Sequence, residues 1–126
     1  MIFGIGCDIA KVSRFAKWVE NDDIIHRFFA ECERPSQQAH LQRKCEFYAA
    51  RFAAKEAFSK ALGTGIVGFD LKDVYIETLK DGKPEMKAAG NAENVLRGSC
   101  GDSYKIHVSL SHEKEYAMAF VVIEQS

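Results

Sequence analysis

The stretch Glu46 to Gly63, EFYAARFAAKEAFSKALG, decides the fold. Glu46 to Leu62 is the strongest helical pattern in the chain, because Phe47, Ala50, Ala54, Ala57, Phe58 and Ala61 recur at the spacing of one helix face. Gly63 stands where a left-handed residue ends a helix. At about 100° per residue, Glu56 falls opposite Phe47, Lys60 is displaced from Glu56 by about 40°, and Ala49 and Ala53 share their side. That face is charged but uncrowded.

Alternating segments flank this helix. In Met1 to Ile9 the residues Phe3, Ile5, Cys7 and Ile9 fall on one strand face, and Gly4, Gly6 and Asp8 on the other, which is bare until Asp8. Ser13 to about Glu33 has helical spacing through Phe15, Trp18, Val19, Ile25, Phe28 and Phe29, with Ser13 as the expected N-cap, a break near Asn21 to Asp23, and Pro35 closing the region. Gly63 to Gly68 reads as a flexible loop. Val74 to Leu79 and Pro84 to Lys87 form a hairpin about Asp81-Gly82, where glycine supplies the positive φ of a tight turn. Asn91 to Arg97 reads as a short helix. In Lys105 to Ser111, Ile106, Val108 and Leu110 oppose Lys105, His107, Ser109 and Ser111, whereas Tyr116 to Ile123 is apolar on both faces and reads as a central strand. The expectation is an α+β fold in one domain spanning residues 1–126, since this length leaves little room for a second core.

Composition narrows the partners. Apolar residues make up 47% and charged residues 28%, so the chain has enough apolar surface to fold. A net charge of −1 argues against a broad polyanion-binding surface and hence against nucleic acid. Cys7, Cys32, Cys45 and Cys100 form no C-x-x-C pair and read as small buried hydrophobes in a reduced cytoplasmic protein. The four histidines have no zinc-type spacing, and no apolar run is long enough to cross a bilayer.

Asp8 and Glu56 are the first pair with chemical promise: each is a hard oxygen donor on a face cleared of bulk, and magnesium commonly takes one or two carboxylates beside water and phosphate. The competing reading is a strand-end aspartate and a surface Glu56–Lys60 pair at i,i+4, and spacing does not decide between them. Lys60 is placed to hold a phosphate near a metal, and Arg51 and Lys55 add positive charge on an adjacent face or serve as solvated helix charges. His107 and Ser109 share a polar strand face suited to phosphate or ribose. Gly82-Lys83-Pro84 brings a backbone and an ammonium together in a surface turn. The phosphate-loop pattern is absent, and Gly4-x-Gly6 lacks the third glycine of a dinucleotide fingerprint.

Four segments together carry a resemblance that periodicity does not supply. Gly4-Ile5-Gly6-Cys7-Asp8-Ile9 with Arg14, Arg51 through Ile66, Gly82-Lys83-Pro84, and His107-Val108-Ser109-Leu110-Ser111-His112 resemble, in order and spacing, the short bacterial-type acyl-carrier-protein synthases of the 4′-phosphopantetheinyl transferase superfamily. The resemblance implies an antiparallel sheet packed on a long helix, assembled as a homotrimer with sites at subunit boundaries. It implies transfer of 4′-phosphopantetheine from coenzyme A to a serine of apo-acyl carrier protein, for fatty acid biosynthesis. By the same likeness, Asp8 and Glu56 ligate Mg2+, with Mn2+ as an alternative. Lys60 contacts phosphate or assists proton movement, with metal-bound water or Glu56 as candidate base. Arg51, Lys83, His107 and Ser109 hold the adenosine 3′,5′-diphosphate part, and Arg14 meets the acidic carrier. Two rivals are a metal-dependent coenzyme A diphosphate hydrolase and a noncatalytic carrier- or coenzyme-binding module.

Overall fold

The computed structural model describes residues 1–126. Strand β1 (Ile2–Lys11) leads through a 3-10 turn (Val12–Phe15) into two short helices, α1 (Ala16–Val19) and α2 (Asp22–Phe28). The long helix α3 (Leu41–Leu62) follows, then a second 3-10 turn (Leu71–Asp73), β2 (Val74–Thr78), β3 (Pro84–Ala88), α4 (Gly90–Cys100), β4 (Tyr104–His112) and β5 (Tyr116–Gln125). One antiparallel sheet has the order β1-β5-β4, and β2-β3 is a separate hairpin. The doubly apolar strand β5 is central, as its pattern predicts.

Local chemistry accounts for the boundaries. Gly63 closes α3 at φ 83°, and Gly82 turns the hairpin at φ 86°, where the Asp81 carboxylate accepts from the Lys83 amide at 3.0 Å. The expected break near Asn21 is present, but the cap is not Ser13: the Asn21 side chain accepts from the Ile24 amide at 3.2 Å, and the preceding turn has no side-chain cap. Helix α3 also starts earlier than the apolar stripe suggests, at Leu41.

Two sequence expectations are corrected. The bare face of β1 is the packed one. Gly6 and Ala10 are buried, whereas Ile5, Cys7 and Ile9 are exposed. A Cβ on Gly6 would lie 1.8 Å from the Ala57 carbonyl oxygen, and one on Gly4 would lie 1.9 Å from that of Ala61, so β1 rests its backbone directly on α3. Ala49 and Ala53 are correspondingly fully buried, and α3 meets protein on nearly every side. The second correction is Lys55, which is buried rather than solvated. Its Nζ donates to Glu33 Oε1 at 2.6 Å and to the carbonyls of Leu71 and Val74 at 3.1 and 2.6 Å. Glu33 accepts in addition from the amides of Ala30 and Ile76, at 2.9 and 3.0 Å. Burial pushes the Lys55 ammonium below its ordinary pKa, against the pull of Glu33.

The core is one cluster of 28 buried apolar residues running from Ala10 to Ile123. All four cysteines are free; Cys45 and Cys100 are buried as expected, while Cys7 and Cys32 are exposed. No helix is long and apolar enough to cross a membrane.

Candidate active site

The close approach of β1 to α3 builds the first cluster. With no side chain at Gly6 to hold the elements apart, the last turn of α3 reaches β1, and Lys60 Nζ donates to Asp8 Oδ1 at 3.0 Å and to the Cys7 carbonyl at 3.1 Å. Glu56 lies one helical turn before Lys60. Burial raises its carboxyl above the ordinary range, the negative charge of Asp8 adds to this, and Lys60 and Arg14 pull the other way. Asp8, Glu56, Lys60 and Arg14 therefore share one electrostatic neighbourhood.

A test of that neighbourhood follows from its sign. A carboxyl whose folded pKa is raised favours the fold in its neutral form, and that advantage is lost as pH rises through the folded pKa. Glu56→Gln is thus expected to melt higher than the parent at pH 7, with the difference closing below the ordinary carboxylate range near pH 4. Thermal melts across that interval provide the check, and an equal or lower melting temperature at pH 7 contradicts the assignment.

The donor set fits a hard ion. No group of three or more His, Cys, Asp or Glu side chains gathers anywhere in the chain, so a closed zinc site has no ligands, whereas two carboxylates are what a magnesium ion shared with a phosphate ligand takes.

Arg14 and Glu56 line a recess of about 400 Å³ walled by Trp18, Phe28 and Phe52. The exposed Arg14 guanidinium lies 5.0 Å from the Phe52 ring centroid and 5.5 Å from that of Trp18, so aromatic faces orient it while leaving its charge open to a partner.

A second recess, about 320 Å³, has Arg51 at its centre and joins α3, the β2–β3 turn and β4. The guanidinium stacks 3.5 Å from the Phe47 ring centroid and donates to the Phe47 carbonyl at 3.4 Å and to Thr78 Oγ1 at 3.3 Å. Its Nε is buried and has no partner within the chain. A planar cation held in place by stacking suits a phosphate at the part of its guanidinium that faces the recess. Arg43 and Glu46 line the same recess and carry no sequence signal of membership, because only tertiary contact brings their helix to the β2–β3 turn and to β4, where His112 joins them.

The remaining candidates lie elsewhere in the chain. Lys83 and His107 line a groove of about 790 Å³ between β3 and β4 together with Lys105 and Tyr104. His107 Nε2 is 3.0 Å from Glu124 Oε1, which holds the Glu124 carboxyl below its usual range. Ser109 is exposed on the outer sheet face, paired in register with Phe120. The chain thus gathers Asp8, Glu56, Lys60 and Arg14, and leaves Arg51 in one other recess and Lys83, His107 and Ser109 by the β3–β4 groove and the outer face of β4. The outer face also exposes Ile5, Ile9, Met118 and Phe120, an apolar row across β1 and β5.

The α+β fold thus brings two carboxylates and two cations into one electrostatic neighbourhood. Residues 4–121 match the family described as the 4′-phosphopantetheinyl transferase superfamily, and the chain belongs to it. Among its relatives, the holo-[acyl-carrier-protein] synthase of Treponema denticola is 44% identical over 98% of this chain and 99% of that protein. The structure of a Bacillus anthracis holo-(acyl-carrier-protein) synthase in complex with CoA (3′,5′-ADP) is similar over 100% of this chain and 99% of that one, with 38% identity and a TM-score of 0.80. The Neisseria meningitidis holo-[acyl-carrier-protein] synthase superimposes with a TM-score of 0.81 at 34% identity, over 99% of this chain and 100% of that one.

Proposed function

We propose that this chain is a transferase that moves the 4′-phosphopantetheine group of coenzyme A onto a serine of apo-acyl carrier protein, releasing 3′,5′-ADP and supplying holo-carrier for fatty acid biosynthesis. The observation that carries the reading is the cluster of Asp8, Glu56 and Lys60 across the β1–α3 contact, in a fold shared with a coenzyme A-bound synthase. Asp8 and Glu56 would hold Mg2+, which when bound would supply charge neutralisation at the pyrophosphate. Lys60 adds a mobile positive charge where negative charge shifts toward the leaving group. The serine oxygen bonds to the β-phosphorus, the bond from that phosphorus to the bridging oxygen breaks, and 3′,5′-ADP leaves with the electron pair. Glu56, beside Asp8 and Lys60, is a candidate acceptor for the serine proton. Arg51, Lys83, His107 and Ser109 serve the adenosine diphosphate part.

Mass spectrometry of apo-carrier incubated with this protein, coenzyme A and magnesium tests the whole reading. A gain of one phosphopantetheine supports it. Free 3′,5′-ADP without carrier modification points to a hydrolase, and binding without turnover to a noncatalytic module. Asp8→Ala and Glu56→Ala should remain folded by circular dichroism and lose about a hundredfold or more in transfer. Wild-type rates in either folded variant remove the metal assignment.

The separation of Ser109 and His107 from Asp8 within one protomer, beside an apolar row on the same outer face, supports a homotrimer with sites completed at subunit boundaries. Sedimentation should give three copies, and Phe120→Lys should give monomers with little transfer activity. The free cysteines and the absence of a spanning helix accord with a cytoplasmic location.

Arg14 serves docking of the acidic carrier. Arg14→Glu is expected to raise the apparent KM for carrier roughly fivefold or more and to leave that for coenzyme A nearly unchanged, and added salt should weaken wild-type carrier use. Equal losses toward both substrates with a lower melting temperature would instead make Arg14 a support for the Trp18–Phe52 cluster.

A further inference from the structure

Lys60 has two acceptors, and both belong to β1: the Asp8 carboxylate and the Cys7 carbonyl, at 3.0 and 3.1 Å. The carboxylate that should hold a divalent cation is thus already engaged by a full positive charge on the opposing helix. The two partners differ in freedom. The Asp8 side chain is 20% exposed and the Lys60 side chain 55%, so the aspartate is held while the lysine, on a long flexible stem, has room to leave.

We propose that Lys60 competes with the divalent cation for Asp8, so that the centre takes the cation tightly only when a phosphate ligand draws Lys60 away. The inference rests on the reading of Asp8 and Glu56 as the metal ligands. With Lys60 and Arg14 in place the neighbourhood carries two negative charges and two positive, which is a poor host for a dication. A pyrophosphate changes both sides of that balance: it gives the ammonium an anionic partner and gives the cation further oxygen ligands. Cation and coenzyme then load together, each raising the affinity of the other by the same factor, as linkage requires. Lys60 is the residue that makes the loading conditional.

The sign is the test, because removing a residue from a binding centre ordinarily weakens it. Mn2+ serves as the probe, with free ion counted by electron paramagnetic resonance, for the parent, Lys60→Gln and Lys60→Arg, each with and without coenzyme A. Without coenzyme A, Lys60→Gln is expected to bind Mn2+ roughly three- to tenfold tighter than the parent, the range set by one partly exposed ion pair. The enhancement that coenzyme A brings should shrink by the same factor, and Lys60→Arg, which keeps the charge, should stay near the parent. Equal or weaker Mn2+ binding by a folded Lys60→Gln overturns the competition while leaving the transferase reading intact. A parent that binds no Mn2+ even with coenzyme A overturns the metal centre and the competition with it. Carrier modification, scored separately by mass, reports on the transferase reading alone.

Discussion

Gly6→Ala is expected to leave little folded protein, although it adds a single methyl group. The new carbon would stand 1.8 Å from the Ala57 carbonyl oxygen and against the amide nitrogen of Ala61, both backbone atoms of α3 that no rotamer change can move aside. Relief requires β1 and α3 to part along a contact that also involves β5, the central strand. Overpacking of ordinary side chains costs about 1–3 kcal/mol, and a backbone clash should exceed that range, taking a large share of a total stability of about 5–15 kcal/mol. Far-UV circular dichroism and thermal melting decide the matter: a fall of roughly 10 °C or more, or insoluble protein, is the expected result. Gly98→Ala is the control, since that helical glycine has open space around it and should gain up to about 1 kcal/mol. A melting temperature for Gly6→Ala within a degree or two of the parent would mean that β1 and α3 do not touch as described. Any partly folded Gly6→Ala should also lose the Lys60–Asp8 contact, so the same methyl group reaches the candidate active site.

Lys55→Met should be nearly as severe. The substitution leaves the Glu33 carboxylate buried without its cation, supported by only two amides, and strips the Leu71 and Val74 carbonyls of their donor. Breaking a buried ion pair from one side costs about 3–5 kcal/mol, more than the methionine recovers by its fit to the hole. Denaturant melts of Lys55→Met and of Lys60→Met, side by side, separate the two lysines. The first should lose most of its stability and the second little, because Lys60 is largely exposed. Similar small losses in both would return Lys55 to the surface role that its helix position suggests.

Much of this architecture is legible in the residues. The long helix with its glycine stop, the hairpin at Asp81-Gly82, and the central strand apolar on both faces all follow from local rules, and each is observed. The face of β1 misleads because hydrophobic alternation measures side chains, whereas β1 packs on α3 through the absence of them. Lys55 misleads for a different reason: its partner Glu33 is 22 residues away, and no spacing rule joins a helix to a loop across that distance. Asp8, Glu56 and Lys60 stand out by residue type, yet the Asp8–Lys60 bond spans 52 residues and exists only once β1 lies on α3. The Arg51 recess is still less legible, since its wall comes from α3, the β2–β3 turn and β4 at once.

The pairing of β1 with β5 sets the tempo at which this molecule can form. Met1 and Gln125 exchange backbone hydrogen bonds across a sequence separation of 124, so the strand made first has its neighbour in the strand made last. On a ribosome adding about 5–20 residues per second, β1 waits several seconds or more with both of its hydrogen-bonding edges unpaired. Helix α3 forms in that interval from local contacts, but β1 cannot close against it as part of a sheet until β5 emerges between β1 and β4. Folding is therefore a closure of the two ends of the chain around a helix already made, and the nascent β1 is the segment most in need of shelter until the last strand arrives.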